Sequence, residues 1–160
     1  MSSISAVIFD VDGLMIDTER IFFQMIQQVL GERGIPFGEE HMEPLLGLDH
    51  RETADYVIAL TGITDSPAEF NEAYLSRFYK VLDNHLEPNP GLGELVADLR
   101  RRGLPLGVAS NSGTAYLQRV LKALGFGQDF QALAGRDQVS SGKPAPDVYL
   151  LAAALLGVDP

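Results

Sequence analysis

Ala6-Val7-Ile8-Phe9-Asp10-Val11-Asp12-Gly13 opens with four apolar residues, two of them β-branched, and runs straight into two acids and a glycine. A short apolar run of this kind suits a strand buried on both faces, as in parallel sheets. Its carboxyl end is then the edge where α/β proteins hold ligands, so Asp10 and Asp12 are placed to meet one. Two carboxylates two residues apart can face one pocket if the chain turns there, and Gly13 permits the turn. Taken alone, Asp-x-Asp-Gly more often marks a solvated acidic loop. A calcium loop is excluded, because that spacing needs an oxygen ligand where Leu14 stands and glycine where Met15 stands.

Outward from this stretch the apolar period changes. Phe22, Met25, Ile26 and Val29 recur at helical spacing, with Gly31 or Gly34 as a stop. Asp49 and Glu52 form a capping-box pattern ahead of Ala54, Val57 and Ile58. Ser66-Pro67-Ala68-Glu69 starts another helix, carried by Phe70, Tyr74, Phe78 and Val81. Glu87-Pro88-Asn89-Pro90-Gly91 reads as a linker, and after it strands and helices alternate. Leu92, Leu95, Val96 and Leu99 mark a helix ending near Gly103, before a strand over Leu104–Ala109. Leu117, Val120, Leu121 and Leu124 mark a helix closed by Gly125, before a strand over Phe130–Ala134. Val148, Leu151, Ala152 and Leu155 form a last helix.

This alternation predicts an α/β fold with a doubly wound parallel sheet. The core is expected from residues 1–14 and 88–160, with an all-helical insertion over 15–87. The insertion is expected to move as a unit about hinges near Gly13–Asp17 and Glu87–Gly91.

A formal charge of -10 opposes nucleic acid and anionic membranes as partners. The absence of cysteine excludes disulfides, thiol catalysis and Cys-based metal sites. No segment approaches about 18 uninterrupted apolar residues, and the first residues lack the basic charge of a signal peptide. A cytoplasmic protein is expected.

Two further strand ends carry polar groups. Val108-Ala109-Ser110-Asn111-Ser112-Gly113-Thr114 joins a strand to a helix. Ser112 and Thr114 read as helix caps, whereas Ser110, at the strand edge beside free amides, suits an anion. Lys143 in Gly142-Lys143-Pro144-Ala145-Pro146-Asp147 is a lone charge in a rigid setting, a surface residue if considered alone. It is not a Walker loop, and no dinucleotide fingerprint, nucleophile elbow or zincin motif occurs. His41, His50 and His85 read as surface histidines, and Arg51 as the start of a helix. Together, two acids, a hydroxyl and a lysine at three strand ends match phosphoryl transfer. One carboxylate attacks phosphorus, another handles the proton, and the remaining groups with a cation neutralise the oxygens.

Phe9-Asp10-Val11-Asp12-Gly13-Leu14-Met15-Ile16-Asp17-Thr18-Glu19 resembles the first motif of the haloacid dehalogenase superfamily. The likeness is to the helical-cap branch that holds β-phosphoglucomutases and small sugar- and nucleotide-phosphate phosphatases. Ala109-Ser110-Asn111-Ser112 resembles the second motif and Gly142–Asp147 the third. The resemblance implies a Rossmann-like core with an inserted helical cap, and a phosphatase acting on a small phosphorylated metabolite. It makes Asp10 the nucleophile, Asp12 the acid and base, and Ser110 and Lys143 the holders of the phosphoryl group. It implies Mg²⁺ on the Asp10 carboxylate and the Asp12 carbonyl. Thr18, Arg51 and Asn111 are the candidates for lining the substrate pocket.

Two departures qualify the resemblance. Phe22 stands where the mutases carry a cap histidine, which favours phosphatase over phosphomutase. The family's fourth motif, with its further metal ligand, is expected beyond the last helix and is not found before Pro160. A C-terminally incomplete core is therefore expected, with a weakly catalytic or degenerate chain as an alternative. Ala6–Phe9 would then be left as an edge strand prone to self-association.

Overall fold

The computed structural model describes residues 4–84 and 86–160. Among them, three parallel strands form one sheet in the order β1-β2-β3: β1 (Val7–Phe9), β2 (Leu106–Ala109) and β3 (Ala132–Ala134). Phe9 pairs with Val108 and Ala109 with Ala134, so Asp10, Ser110 and Gly135 leave the sheet at one edge. Here β1 pairs on one side only.

Strands two and three are shorter than expected, for a local reason. Leu104 is bound back to the preceding helix through Leu99, and Pro105 has no amide to give. The Leu106 amide donates to the Gln131 side chain at 2.7 Å, so regular pairing starts only after that exchange.

Four helices complete this part of the chain's order: α1 (Thr18–Gly31), α2 (His50–Thr61), α3 (Pro67–Asn84) and α4 (Leu92–Arg101) precede β2. Then α5 (Thr114–Ala123) lies between β2 and β3, and α6 (Asp147–Leu156) follows β3. Val148 and Ala152 of α6 pack on Ala109 and Ala134, with Ile8, Val139 and Leu151 around them. Small residues on both sides let the helix lie close to the strands. Leu106 and Val108 are fully buried in the sheet, each worth roughly 1.5–3 kcal/mol of transfer free energy. This is a doubly wound, Rossmann-like core with a helical insertion.

The chain divides into two compact units. One holds the residues up to Asp17 together with Leu82–Pro160, and the other holds Thr18–Val81. These breaks differ from the expected ones after residue 14 and before residue 88. Met15 and Ile16 fall in the unit that holds the sheet, and both are fully buried. Their amides, with that of Leu14, point to the Val11 carbonyl. Asn89 also ties the two linkers together: its amide donates to the Met15 carbonyl at 2.8 Å, and its side chain to that of Leu14 at 2.8 Å. Both linker stretches thus meet within the core unit.

Within the helical unit, Phe23, Ile26, Val29, Val57, Phe70, Tyr74 and Phe78 are buried. The expected stripe included Phe22; the fully buried ring is instead Phe23, while Phe22 stacks on Phe78 with centroids 4.1 Å apart. The predicted capping box of α2 is formed: Asp49 accepts from the Glu52 amide at 2.8 Å and Glu52 from the Asp49 amide at 2.9 Å. Ser66 and Glu69 exchange bonds in the same way at the start of α3. No helix among the described residues is long and apolar enough to cross a membrane.

Candidate active site

The loop after β1 is built on one carbonyl. Val11, fully buried, accepts amides from Leu14, Met15 and Ile16, while Gly13 donates to the Ile16 carbonyl at 2.9 Å. Gly13 takes φ +75, a left-handed conformation that a side chain would strain. The turn leaves Asp10 and Asp12 at the sheet edge, in different settings.

Asp10 faces the loop before α6. Its Oδ1 accepts the Val11 amide at 2.8 Å, and its Oδ2 lies 2.9 Å from Lys143 Nζ. That ammonium is close enough for ion pairing but is not aligned as a hydrogen bond. No acceptor among the described residues is aligned with it as a hydrogen bond, though its nitrogen is buried. The charge also sits 5.0 Å from the centroid of the Tyr149 ring, a favourable cation–π distance.

Lys143 is held by Asn111. The Asn111 carbonyl oxygen accepts the Lys143 amide at 2.7 Å, and its NH₂ donates to the Lys143 carbonyl at 3.2 Å. Gly142 is required beside this clamp, because a Cβ there would fall 2.5 Å from Asn111 Oδ1 and 2.6 Å from Arg136 Cδ. The Asn111 side chain thus serves the lysine loop.

Asp12 faces α5. Tyr116 Oη donates to Oδ1 at 2.8 Å, Ser112 Oγ to Oδ2 at 2.7 Å, and Ser110 Oγ approaches Oδ2 at 3.4 Å. Ser110 is almost fully buried, its amide bonded to the Ala134 carbonyl and its hydroxyl accepting the Ser112 amide.

Ser112 and Thr114 were expected to cap α5, and neither does. The cap residue is Gly113, which offers no side chain. Asp137, from the turn after β3, accepts the Thr114 amide at 2.9 Å and its hydroxyl at 2.7 Å. These bonds hold the Asp137 carboxyl below the usual carboxylate range.

Five of the seven expected site residues therefore converge: Asp10, Asp12, Ser110, Asn111 and Lys143. Thr18 and Arg51 belong to the helical unit. Thr18 is buried at the first turn of α1, and Arg51 is open to solvent beside Asp55 on α2. His50 is not a plain surface histidine: its Nδ1 lies 2.9 Å from the hydroxyl of the buried Tyr74. His85 lies outside the described residues. Tyr116 was missed because a tyrosine in a helix gives no signal of a carboxylate from the far end of the chain. Ser112 could have been found, as a hydroxyl two residues beyond the strand edge.

The sequence matches the family described as haloacid dehalogenase-like hydrolase over residues 7–160. It is 32% identical to the beta-phosphoglucomutase of Bacillus subtilis, over 97% of this chain and 71% of that protein. It is 34% identical to hexitol phosphatase B of Escherichia coli K12, over 98% and 72%. A crystal structure of a HAD family hydrolase from Deinococcus radiodurans, with bound phosphate and sodium, superimposes with a TM-score of 0.78. The identity there is 28%, covering 96% of this chain and 68% of that one. A match over nearly the whole chain, on a fold with acids, hydroxyl and lysine at one sheet edge, makes this protein a member of the haloacid dehalogenase-like hydrolase family.

Proposed function

We propose that this protein is a cytoplasmic Mg²⁺-dependent phosphatase that hydrolyses a small sugar- or nucleotide-type phosphomonoester through an aspartyl-phosphate on Asp10. The observation that carries this reading is the pairing of Asp10 with a lysine whose ammonium nitrogen is buried and meets no aligned acceptor. A cation with donors to spare beside a carboxylate suits a site that receives an anion.

In the first step an Asp10 oxygen attacks phosphorus, and the P–O bond to the alcohol breaks. Asp12 gives its proton to the departing oxygen. In the second step Asp12, now a carboxylate, takes a proton from water as that water attacks the aspartyl-phosphate. Inorganic phosphate leaves, and both acids return to their starting states. Lys143 and the Ser110 hydroxyl hold the phosphoryl oxygens, with Asn111 keeping the lysine loop in place.

The donor set fits a divalent cation. The half-exposed Asp10 carboxylate and the Asp12 main-chain carbonyl are hard oxygen ligands, and Mg²⁺ readily keeps waters for the rest. Among the described residues no group of three His, Asp or Glu gathers to form a fuller cage. When bound there, the ion would neutralise charge on the transferring phosphoryl group.

Support for the phosphatase over a phosphomutase comes from Phe22. Its ring is stacked on Phe78, with its edge to His50 and Tyr74, and carries no proton to share with a sugar. Thr18, Arg51 and Asn111 remain the proposed lining residues of the substrate pocket. The test is Asp10→Asn, which keeps the shape and removes the nucleophile. Phosphate release should fall more than about a hundredfold while circular dichroism is unchanged. Activity above about one per cent of wild type would remove Asp10 from that role.

A further inference from the structure

Asp12 is gripped at both oxygens. Tyr116 Oη reaches Oδ1 at 2.8 Å and Ser112 Oγ reaches Oδ2 at 2.7 Å. A carboxylate bonded at one oxygen can still swing about that contact, whereas bonds at both fix its plane. We propose that Tyr116, together with Ser112, is a positioning residue that aims Asp12 for proton transfer. This inference rests on Asp12 being the proton carrier, as proposed above.

Three features favour it. Tyr116 stands near the start of α5, and Asp137 anchors that start through the Thr114 amide and hydroxyl. Its hydroxyl is therefore presented from a rigid element. Tyr116 and Ser112 both donate to Asp12, which leaves the remaining capacity of its oxygens for the substrate or water. Finally, proton transfer demands heavy-atom distances of about 2.6–3.2 Å, and a misplacement of about 1 Å can cost on the order of a hundredfold. An acid on a loop needs an external guide to meet that tolerance.

The experiment separates aim from packing by the leaving group. An alkoxide, as from glycerol phosphate, needs the proton of Asp12 to depart, whereas para-nitrophenolate does not. Tyr116→Phe keeps the ring and removes only the hydroxyl. Leaving-group release is followed in the first turnover, with enzyme in excess and Mg²⁺ present. The expected result is a roughly tenfold slower release from glycerol phosphate, with release from para-nitrophenyl phosphate within about twofold of wild type. Ser112→Ala should give the same selective loss, and it carries the test if Tyr116→Phe does not fold. Equal losses on both substrates, or none on either, would overturn the inference and leave Tyr116 a packing residue. Asp12→Asn is run alongside: if it does not slow the alkyl substrate, or if wild type releases neither leaving group, the reading of Asp12 falls and this inference with it.

Discussion

The helix-capping side chains of the helical unit act over three residues, whereas the polar side chains that hold the sheet-edge site act between segments far apart in the chain. Asp49 and Glu52 cap α2 from three positions apart, and Ser66 and Glu69 do the same for α3. At the sheet edge Asp12 takes its donors from residues 98 to 104 positions away, and Asn111 grips Lys143 from 32 positions away. The first kind of bond closes the start of a helix and does not tie one helix to another. The second exists only once the parallel strands have aligned, so the sheet must form before the site does. Stability in one region and chemistry in the other should therefore respond to different substitutions.

The largest stability effect that would sharpen this contrast lies in the helical unit. Phe70 is fully buried and packs against Tyr74 with ring centroids 5.6 Å apart. Phe70→Ala should cost about 3–5 kcal/mol, the transfer term plus the cavity left behind. Tyr116→Phe at the sheet edge should cost only about 1 kcal/mol, the net worth of one hydrogen bond. Urea unfolding of both variants checks the pair. Equal costs would break the distinction between a packed unit and a hydrogen-bonded site.

The same contrast explains what the sequence made legible. Periodicity and caps are local, so the helices of the insertion, the start at Asp49 and the start at Ser66 could be read directly. The parallel sheet followed from the alternation after Gly91, Asp10 and Ser110 from their places at strand ends, and Lys143 from its place just before the last helix. The grip of Tyr116 and Ser112 on Asp12 could not be read, because a side-chain bond across a hundred residues leaves no spacing in the chain. The same holds for the Asp137 anchor on Thr114 and for the Asn111 clamp on Lys143. The unit boundary after Asp17 was hidden for another reason: Met15 and Ile16 look like linker residues until the buried Val11 carbonyl is seen to collect their amides.

A smaller effect tests the local side of the comparison. Asp49→Ala removes an exposed cap whose reciprocal bonds are 2.8 and 2.9 Å long. The expected loss is about 1 kcal/mol, within the range for N-cap deletions, with Asp49→Asn recovering most of it. If thermal unfolding shows no change for Asp49→Ala, the box closes the helix without stabilising it.

The smallest effect is a pH dependence at His50, a residue that mixes the two kinds of interaction. It begins α2 beside its own cap, yet its Nδ1 meets the hydroxyl of Tyr74, 24 residues on, and its ring meets Phe22 edge-on. Burial pushes the imidazole below its ordinary value of 6.5, and the neighbouring charge of Asp49 offsets only part of that. Burial likewise raises the Tyr74 hydroxyl, so it stays protonated throughout this range. With the folded-state value depressed, the unfolded chain binds more protons as pH falls below about 6.5, and the folded state loses stability there. Above that value the imidazole is neutral in both states and contributes no slope. His50→Asn keeps a polar atom near Tyr74 but cannot titrate. Melting temperatures between about pH 7.5 and pH 5 should therefore fall further for wild type than for His50→Asn, while carboxylates and other histidines affect both equally. Parallel curves would mean that the imidazole is as well solvated in the folded chain as in the unfolded one, and that the contact with Tyr74 imposes no cost on its charged form.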